Sequence, residues 1–381
     1  MICGYYIKHS GPLSEVKVLT DKKISLLHYW LTNMRGGEMV FAEICKMFPT
    51  ADIFTHAAIP EKLTADIASH KFNESFIAKL PWGRKQCQKY LPLMPAALKK
   101  WDFSGCDLII SSESGPIKGI RKPANCHHIC YCHTPMRYLW DMYEDYYDSV
   151  GVAGKILMSL CKNYLRKYDL KSAECVDQFI ANSKFVASRI KRIYNRDAVV
   201  IYPPVDINFF SNAPKIERKH YLYVGALVCY KRPDLVVKTF RKLQNEKLIV
   251  VGDGGLYHHL RKIATPNIEF INSPSREQIR ELYASAKALI FPGIEDFGIV
   301  PVEAQAAGCP VIAMNIGGTA ETVIDKVTGI HISQQTQENI LHAIEKLSAI
   351  AISDIVMLEN AKKFSQDQFV NKFSHIVNQQ L

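Results

Sequence analysis

An α/β protein built as two parallel-sheet halves is the fold class this sequence predicts, and three observations predict it. Short apolar runs alternate with amphipathic stretches along most of the chain, the rhythm of successive strand–helix units. A double proline, Pro203-Pro204, stops one such series, and a second series starts beyond it. The length of 381 residues suits two domains.

In the first series, strand-like runs lie at Lys23–Trp30, Asp107–Ser111, His128–Tyr131 and Gln178–Asn182, with a helix within Gly37–Phe48. In the second, Tyr221–Val224, Lys247–Val251, Asn267–Ile271, Ala288–Phe291 and Pro310–Ala313 read as strands, with helices at Lys231–Leu243 and Pro301–Ala307. The expected domains are 1–203 and 204–364. From Asp354 onward, apolar residues recur at helical spacing (Leu358, Phe364, Phe369, Phe373, Val377) and no strand follows, so a terminal helix, about 365–381, is expected to pack back across the junction. Residues 1–22 carry no usable pattern.

Composition excludes several classes. Hydrophobic residues make up 48% and charged residues 22%, ordinary globular usage that rules out a disordered or collagen-like chain. No uninterrupted apolar run is long enough to span a bilayer, and no basic leader opens the sequence, so a cytoplasmic protein is expected. The net charge is +10, and residues 1–206 hold 28 basic and 20 acidic residues against 19 and 17 in the rest. Such asymmetry points to a polyanion or an anionic lipid surface. Nucleic acid is set aside, because no zinc-finger, helix-turn-helix or RNA-platform signature is present. An anionic membrane surface stays open: the basic, aromatic stretch from Trp82 to Trp101 could bury Trp82, Leu91, Leu93, Met94 and Trp101 in lipid, although Pro92 and Pro95 interrupt any long helix there. Attachment would then be peripheral, on the inner face of the cell membrane. The eleven cysteines are dispersed and read as reduced, mostly buried thiols. No metal site is expected at Cys126–His133, because strand alternation sends Cys130 and Cys132 to one face and His127 and His133 to the other.

Three glycine-bearing stretches sit where such folds bind phosphate: Arg35-Gly36-Gly37-Glu38, Gly252-Asp253-Gly254-Gly255, and Gly298 before a helix. None completes a dinucleotide fingerprint or a phosphate loop. The stretch Glu295 to Gly308 is the most informative. Pro301 fits only a first helical turn and Gly308 is a natural C-cap, so a helix starts near Ile299. Backbone N–H groups of Gly298, Ile299 and Val300 would face a diphosphate, with Glu295 in the preceding loop and Glu303 one turn inside.

The pattern Glu295-x-Phe297-Gly298-x-x-x-x-Glu303-Ala304 resembles the signature of the family-4 retaining glycosyltransferases, which have the GT-B fold: two Rossmann-like domains facing across a cleft. Arg35-Gly36-Gly37-Glu38, Ala181-Asn182-Ser183-Lys184, Tyr230-Lys231-Arg232-Pro233-Asp234, Gly252-Asp253-Gly254 and Asn315-Ile316-Gly317-Gly318 match in order, so the resemblance runs from about residue 24 to the end. The stretch Cys132-His133-Thr134-Pro135-Met136-Arg137-Tyr138, with Trp140-Asp141, is similar to the O-antigen mannosyltransferase subgroup. The resemblance implies that Glu303 holds the donor ribose and Glu295 lies beside the transferred sugar. Lys231 and Arg232 would neutralise the diphosphate, Gly36 and Gly37 would approach it, and His133 would contact the sugar. Many relatives carry Arg where this chain has Ala226, which shifts weight to Lys231, Arg232 and the helix tip.

The chain contains no Asp-x-Asp pair, so no metal and no cofactor are expected. The implied function is transfer of a hexose, mannose from GDP-mannose, onto a polyprenyl-diphosphate-linked oligosaccharide in O-antigen or other surface-polysaccharide biosynthesis. A UDP-sugar donor, a non-catalytic scaffold and a sugar-nucleotide epimerase are the alternatives.

Overall fold

The computed structural model describes residues 22–381; apart from Lys22, the patternless N-terminal segment lies outside them. Seven strands, β1 (Ile24–His28), β2 (Asp52–Thr55), β3 (Phe72–Glu74), β4 (Leu108–Glu113), β5 (His127–Cys132), β6 (Gln178–Ala181) and β7 (Ala198–Val200), form one parallel sheet in the order β3-β2-β1-β4-β5-β6-β7. A second parallel sheet holds β8 (His220–Val224), β9 (Leu248–Val251), β10 (Ile268–Ile271), β11 (Ala286–Phe291), β12 (Val311–Met314) and β13 (Gly329–Ile332), ordered β10-β9-β8-β11-β12-β13. These are the two Rossmann-like domains of the GT-B fold.

Both faces of each sheet are covered, which is why the strands read as near-continuous apolar runs. In β8, Leu222 packs into one core while Tyr221 and Tyr223 pack into the other. In β5, Ile129 and Tyr131 enter one core while Cys130 and Cys132 enter the opposite one, the alternation expected of a strand. The short strands β2, β3 and β13 are absent from the sequence expectation. Each holds at most two large apolar residues (Ile53 and Phe54, Phe72, Ile330 and Ile332), too few to separate from loop or helix by pattern, whereas the equally short β9 is apolar throughout.

The terminal segment folds as two helices, Asp354–Lys362 and Gln366–Gln380, broken at Phe364-Ser365. Phe369, Phe373, Ile376 and Val377 of the second enter the first domain's core beside Val40 and Phe41, so this helix does cross back. Its Ser365 side chain accepts from the Gln368 N–H and fixes the helix start. At the crossing, the Val205 N–H donates to the Phe364 carbonyl at 2.9 Å, so the two inter-sheet passages of the chain run side by side.

The stretch from Trp82 to Trp101 is folded inward more than a lipid-facing surface would be. Met94 is fully buried and Trp101 packs edge-on against Phe54, 5.5 Å between ring centres, while Trp82 and Leu93 stay exposed.

Candidate active site

In open parallel sheets, ligands bind beyond the carboxyl ends of the strands where the strand order reverses. Those points are β1/β4 in the first sheet and β8/β11 in the second. The chain leaving β1 enters the helix Gly36–Met47, and the chain leaving β11 enters the helix Ile299–Ala306. The two helix tips meet: a Cβ on Gly36 would lie 3.2 Å from Ile299 Cδ1. A larger residue there would need the end of the Ile299 side chain to give way by a few tenths of an ångström.

Gly37 faces His133, whose Nε2 would lie 3.4 Å from an added Cβ. His133 follows β5, and its Nε2 shares a hydrogen bond of 2.8 Å with Ser112 Oγ at the end of β4. Burial, with help from the neighbouring His28, lowers the His133 pKa to about 3. The imidazole is therefore neutral, able to donate or accept a hydrogen bond but not to carry charge.

On the opposite wall, Lys231 Nζ lies 2.7 Å from Glu295 Oε1. Burial works against the ammonium, yet Glu295 and Tyr230 outweigh it and hold the Lys231 pKa above its ordinary value. Lys231 is thus a fixed cation at the end of the β8 connection, beside a carboxylate at the end of β11. Arg232 adopts a left-handed backbone conformation (φ 57°), and its side chain turns to Asp234 and Gln335, 3.2 and 3.3 Å away. It does not join Lys231 at Glu295.

Gly298 is the N-cap of the helix Ile299–Ala306, with φ +88°, a conformation that favours glycine. The first N–H groups of that helix, at Ile299 and Val300, have no carbonyl partner within the helix and present the positive end of the dipole. Glu303 lies one turn further, where Tyr283 donates to its Oε2 at 3.1 Å. Burial pushes the Glu303 pKa up to about 7. The preceding loop is held by Gly317 and Gly318: the Gly318 N–H donates to the Glu295 carbonyl at 2.8 Å, and a Cβ on Gly318 would fall 2.2 Å from Phe297 Cα.

The sequence reading passed over Asp296. Its carboxylate pairs with Arg137 and, at 2.6 Å, with Arg189, both from the first domain. Ser183 donates to its carbonyl at 2.5 Å. Arg189 Nε also lies 2.8 Å from Asp141. Thus the stretch His133 to Asp141 supplies both a histidine at the cleft and much of a clamp across it. Nearby, Glu321 accepts the N–H groups of Lys184 and Phe185 at 2.9 and 3.0 Å, a carboxylate seated on the N-terminus of the helix Lys184–Tyr194. The only sequence signal for Asp296 was its place inside the Glu295–Glu303 motif.

The fold and this paired-tip cleft define the class, a GT-B protein, and comparison with known proteins agrees. Residues 34–209 match the family model Glycosyltransferase Family 4, and residues 205–364 match Glycosyl transferases group 1. The two matches meet at residues 205–209 and together run from residue 34 to residue 364. Among curated relatives, the D-inositol 3-phosphate glycosyltransferase of Mycobacteroides abscessus is 28% identical over 195 residues, 45% of this chain and 44% of that protein. The Alpha-1,3/1,6-mannosyltransferase ALG2 of Mus musculus is 27% identical over 244 residues, 53% of this chain and 58% of that one. The chain spans about half the length of the curated relatives it matches. Among solved structures, Anabaena Alr3699/HepE in complex with UDP and glucose superposes with a TM-score of 0.68 at 16% identity, covering 94% of this chain and 99% of that one. WaaG, a glycosyltransferase involved in lipopolysaccharide biosynthesis, gives 0.63 at 15%, covering 93% and 99%.

Proposed function

We propose that this protein is a retaining glycosyltransferase that moves a hexose, mannose from GDP-mannose, onto a lipid-linked oligosaccharide in surface-polysaccharide assembly. The observation that carries the reading is the Lys231–Glu295 pair, 2.7 Å apart, at the switch point of the second sheet and beside the helix tip at Gly298. The likeness to WaaG and to the mouse mannosyltransferase supports it.

Breaking the anomeric C–O bond sends an electron pair to the departing nucleoside diphosphate and leaves positive charge on the sugar. Lys231 and the N–H groups of Ile299 and Val300 are preorganised donors for the developing anion, worth about 3–4 kcal/mol each when such a donor is removed. Arg232 contributes charge from further off, through its site on Asp234 and Gln335. Glu295 stands beside the sugar, where its carboxylate accepts from sugar hydroxyls and offsets the positive charge. Gly36 and Gly37 leave room for the diphosphate, His133 hydrogen-bonds the sugar from the opposite wall, and Glu303 accepts from the ribose. The acceptor oxygen bonds the anomeric carbon on the face the phosphate leaves, and its proton passes to the departing phosphate oxygen. No metal is needed in this scheme, so turnover is expected to survive EDTA; complete inactivation restored by manganese would refute it.

A thermal-shift panel of GDP, UDP, ADP and their sugars, followed by transfer assays with the best donor, tests the reading. Stabilisation by GDP-mannose and transfer to a polyprenyl-diphosphate acceptor are expected. A UDP-sugar donor is the second reading, favoured by the likeness to HepE, whose structure holds UDP. Isomerisation of the sugar without any acceptor would instead mark an epimerase, and no stabilisation by any nucleotide would mark a non-catalytic scaffold.

A further inference from the structure

The helix Val152–Ser172 is buried at its C-terminal end only, while Lys155 and Lys162 hold one side of its first half to the helix Tyr143–Ser149. Leu165, Asp169 and Ser172 are its buried residues, and Asp169 is held by Lys118 at 2.5 Å and by Trp140 Nε1 at 2.7 Å. Over its first thirteen residues every side chain is exposed or half-buried. Val152 and Leu160 are each 76% exposed, Ile156 57% and Tyr164 50%. These four recur every fourth residue, so they line one side of the helix for about 20 Å. Large apolar side chains in a row on water are costly, each forgoing the burial that a partner would provide.

Charge says what that partner is. Lys167 and Lys171 continue the same exposed side toward the C-terminus, and neither makes an ion pair among the described residues. Asp169, the helix's one acidic residue, is buried. Of the other cations, Lys155 pairs with Asp148 at 3.1 Å and Lys162 caps the Tyr143 ring at 3.6 Å. A second copy packed antiparallel would set lysines against apolar residues and offer them no carboxylate. An anionic bilayer supplies both counterparts: acyl chains for the first three turns and phosphates for the lysines. No helix among the described residues is long and apolar enough to cross a membrane, so the contact is a lateral one.

We infer that the exposed side of the helix Val152–Ser172, from Val152 through Tyr164 to Lys171, docks the protein on an anionic lipid surface. It would bring the cleft to a lipid-linked acceptor. The binding itself is read without donor or acceptor, so it stands or falls separately from the proposed reaction.

Co-sedimentation of the full chain with phosphatidylglycerol/phosphatidylcholine vesicles, and with phosphatidylcholine alone, tests the inference. Binding to the anionic vesicles is expected to exceed binding to the neutral ones by about tenfold or more and to weaken with salt. The double variant Ile156→Asp/Leu160→Asp should lose about a hundredfold in affinity, and Lys167→Glu/Lys171→Glu about tenfold. Melting temperatures should stay near that of the parent, because all four positions are solvent-exposed. Equal binding by parent and variants, or no binding to anionic vesicles, would overturn the assignment. A lipid-free dimer abolished by Ile156→Asp/Leu160→Asp would overturn it too, giving the face to a second copy.

Discussion

At the scale of single residues, two carboxylates eight positions apart sit in different surroundings. Glu295 is paired with a lysine, whereas Glu303 is half-buried with a tyrosine hydroxyl as its hydrogen-bond donor. The folded protein therefore holds the Glu303 proton up to about 7, while an unfolded chain releases it near the ordinary 4.5. Between those values the unfolded state binds fewer protons, so this group's contribution falls as pH rises from 4.5 through 7 and is constant below. Glu303→Gln keeps an acceptor for Tyr283 and cannot ionise. Its melting temperature should match the parent's at the acidic end and exceed it by a few degrees above neutrality, so parallel pH profiles would contradict the raised Glu303 pKa. Lys231→Ala should lower turnover by about 10²–10³-fold with a smaller effect on nucleotide affinity, measured by steady-state kinetics and calorimetry. Turnover at the parent's level would remove Lys231 from the leaving group.

At the scale of elements, the loop between β11 and the helix Ile299–Ala306 keeps its shape because another loop lies on its backbone. Gly318 permits that contact, and an added Cβ would sit 2.2 Å from Phe297 Cα with no flexible side chain to give way. Gly318→Ala should therefore cost about 1–3 kcal/mol, lowering the melting temperature by several degrees and displacing Glu295. Gly255→Ala, where nothing lies within 4 Å, is the matched control and should be neutral or slightly stabilising. Equal melting of the two variants would show that the loop contact is not tight. The loop and helix were legible in the sequence because their signals are local: Gly298, Pro301 and Gly308 mark a start and a stop within eleven residues. Strands β2, β3 and β13 were not, because a short strand with only one or two large apolar residues is defined by its neighbours in the sheet rather than by its own pattern.

At the scale of the whole molecule, two contacts tie the sheets together beside the cleft. One is Asp296 with Arg137 and Arg189; the other is Glu321 on the helix Lys184–Tyr194. Burial raises the Asp296 pKa above its ordinary value, although Arg137 and Arg189 pull it back toward ionisation. A buried ion pair is costly to break one-sidedly, at about 3–5 kcal/mol, because the remaining charge loses its partner. Asp296→Ala should thus lower the melting temperature by on the order of 10 °C, and scanning calorimetry checks it. A variant that melts with the parent would mean that the clamp holds nothing.

Sequence alone determined the alternation of strands and helices, the glycine and proline punctuation of the helix tip, and the order of the motifs, all of which depend on residues within about a dozen positions of one another. It did not reach Asp296, whose arginine partners lie 159 and 107 positions away, nor the turn of Arg232 toward Gln335, 103 positions on. It also looked for a lipid-facing surface around Trp82 to Trp101, where Met94 is in the core, while the exposed apolar row lies on the helix Val152–Ser172. Periodicity says that a helix has an apolar side; only the packed molecule decides which of those sides is left facing water.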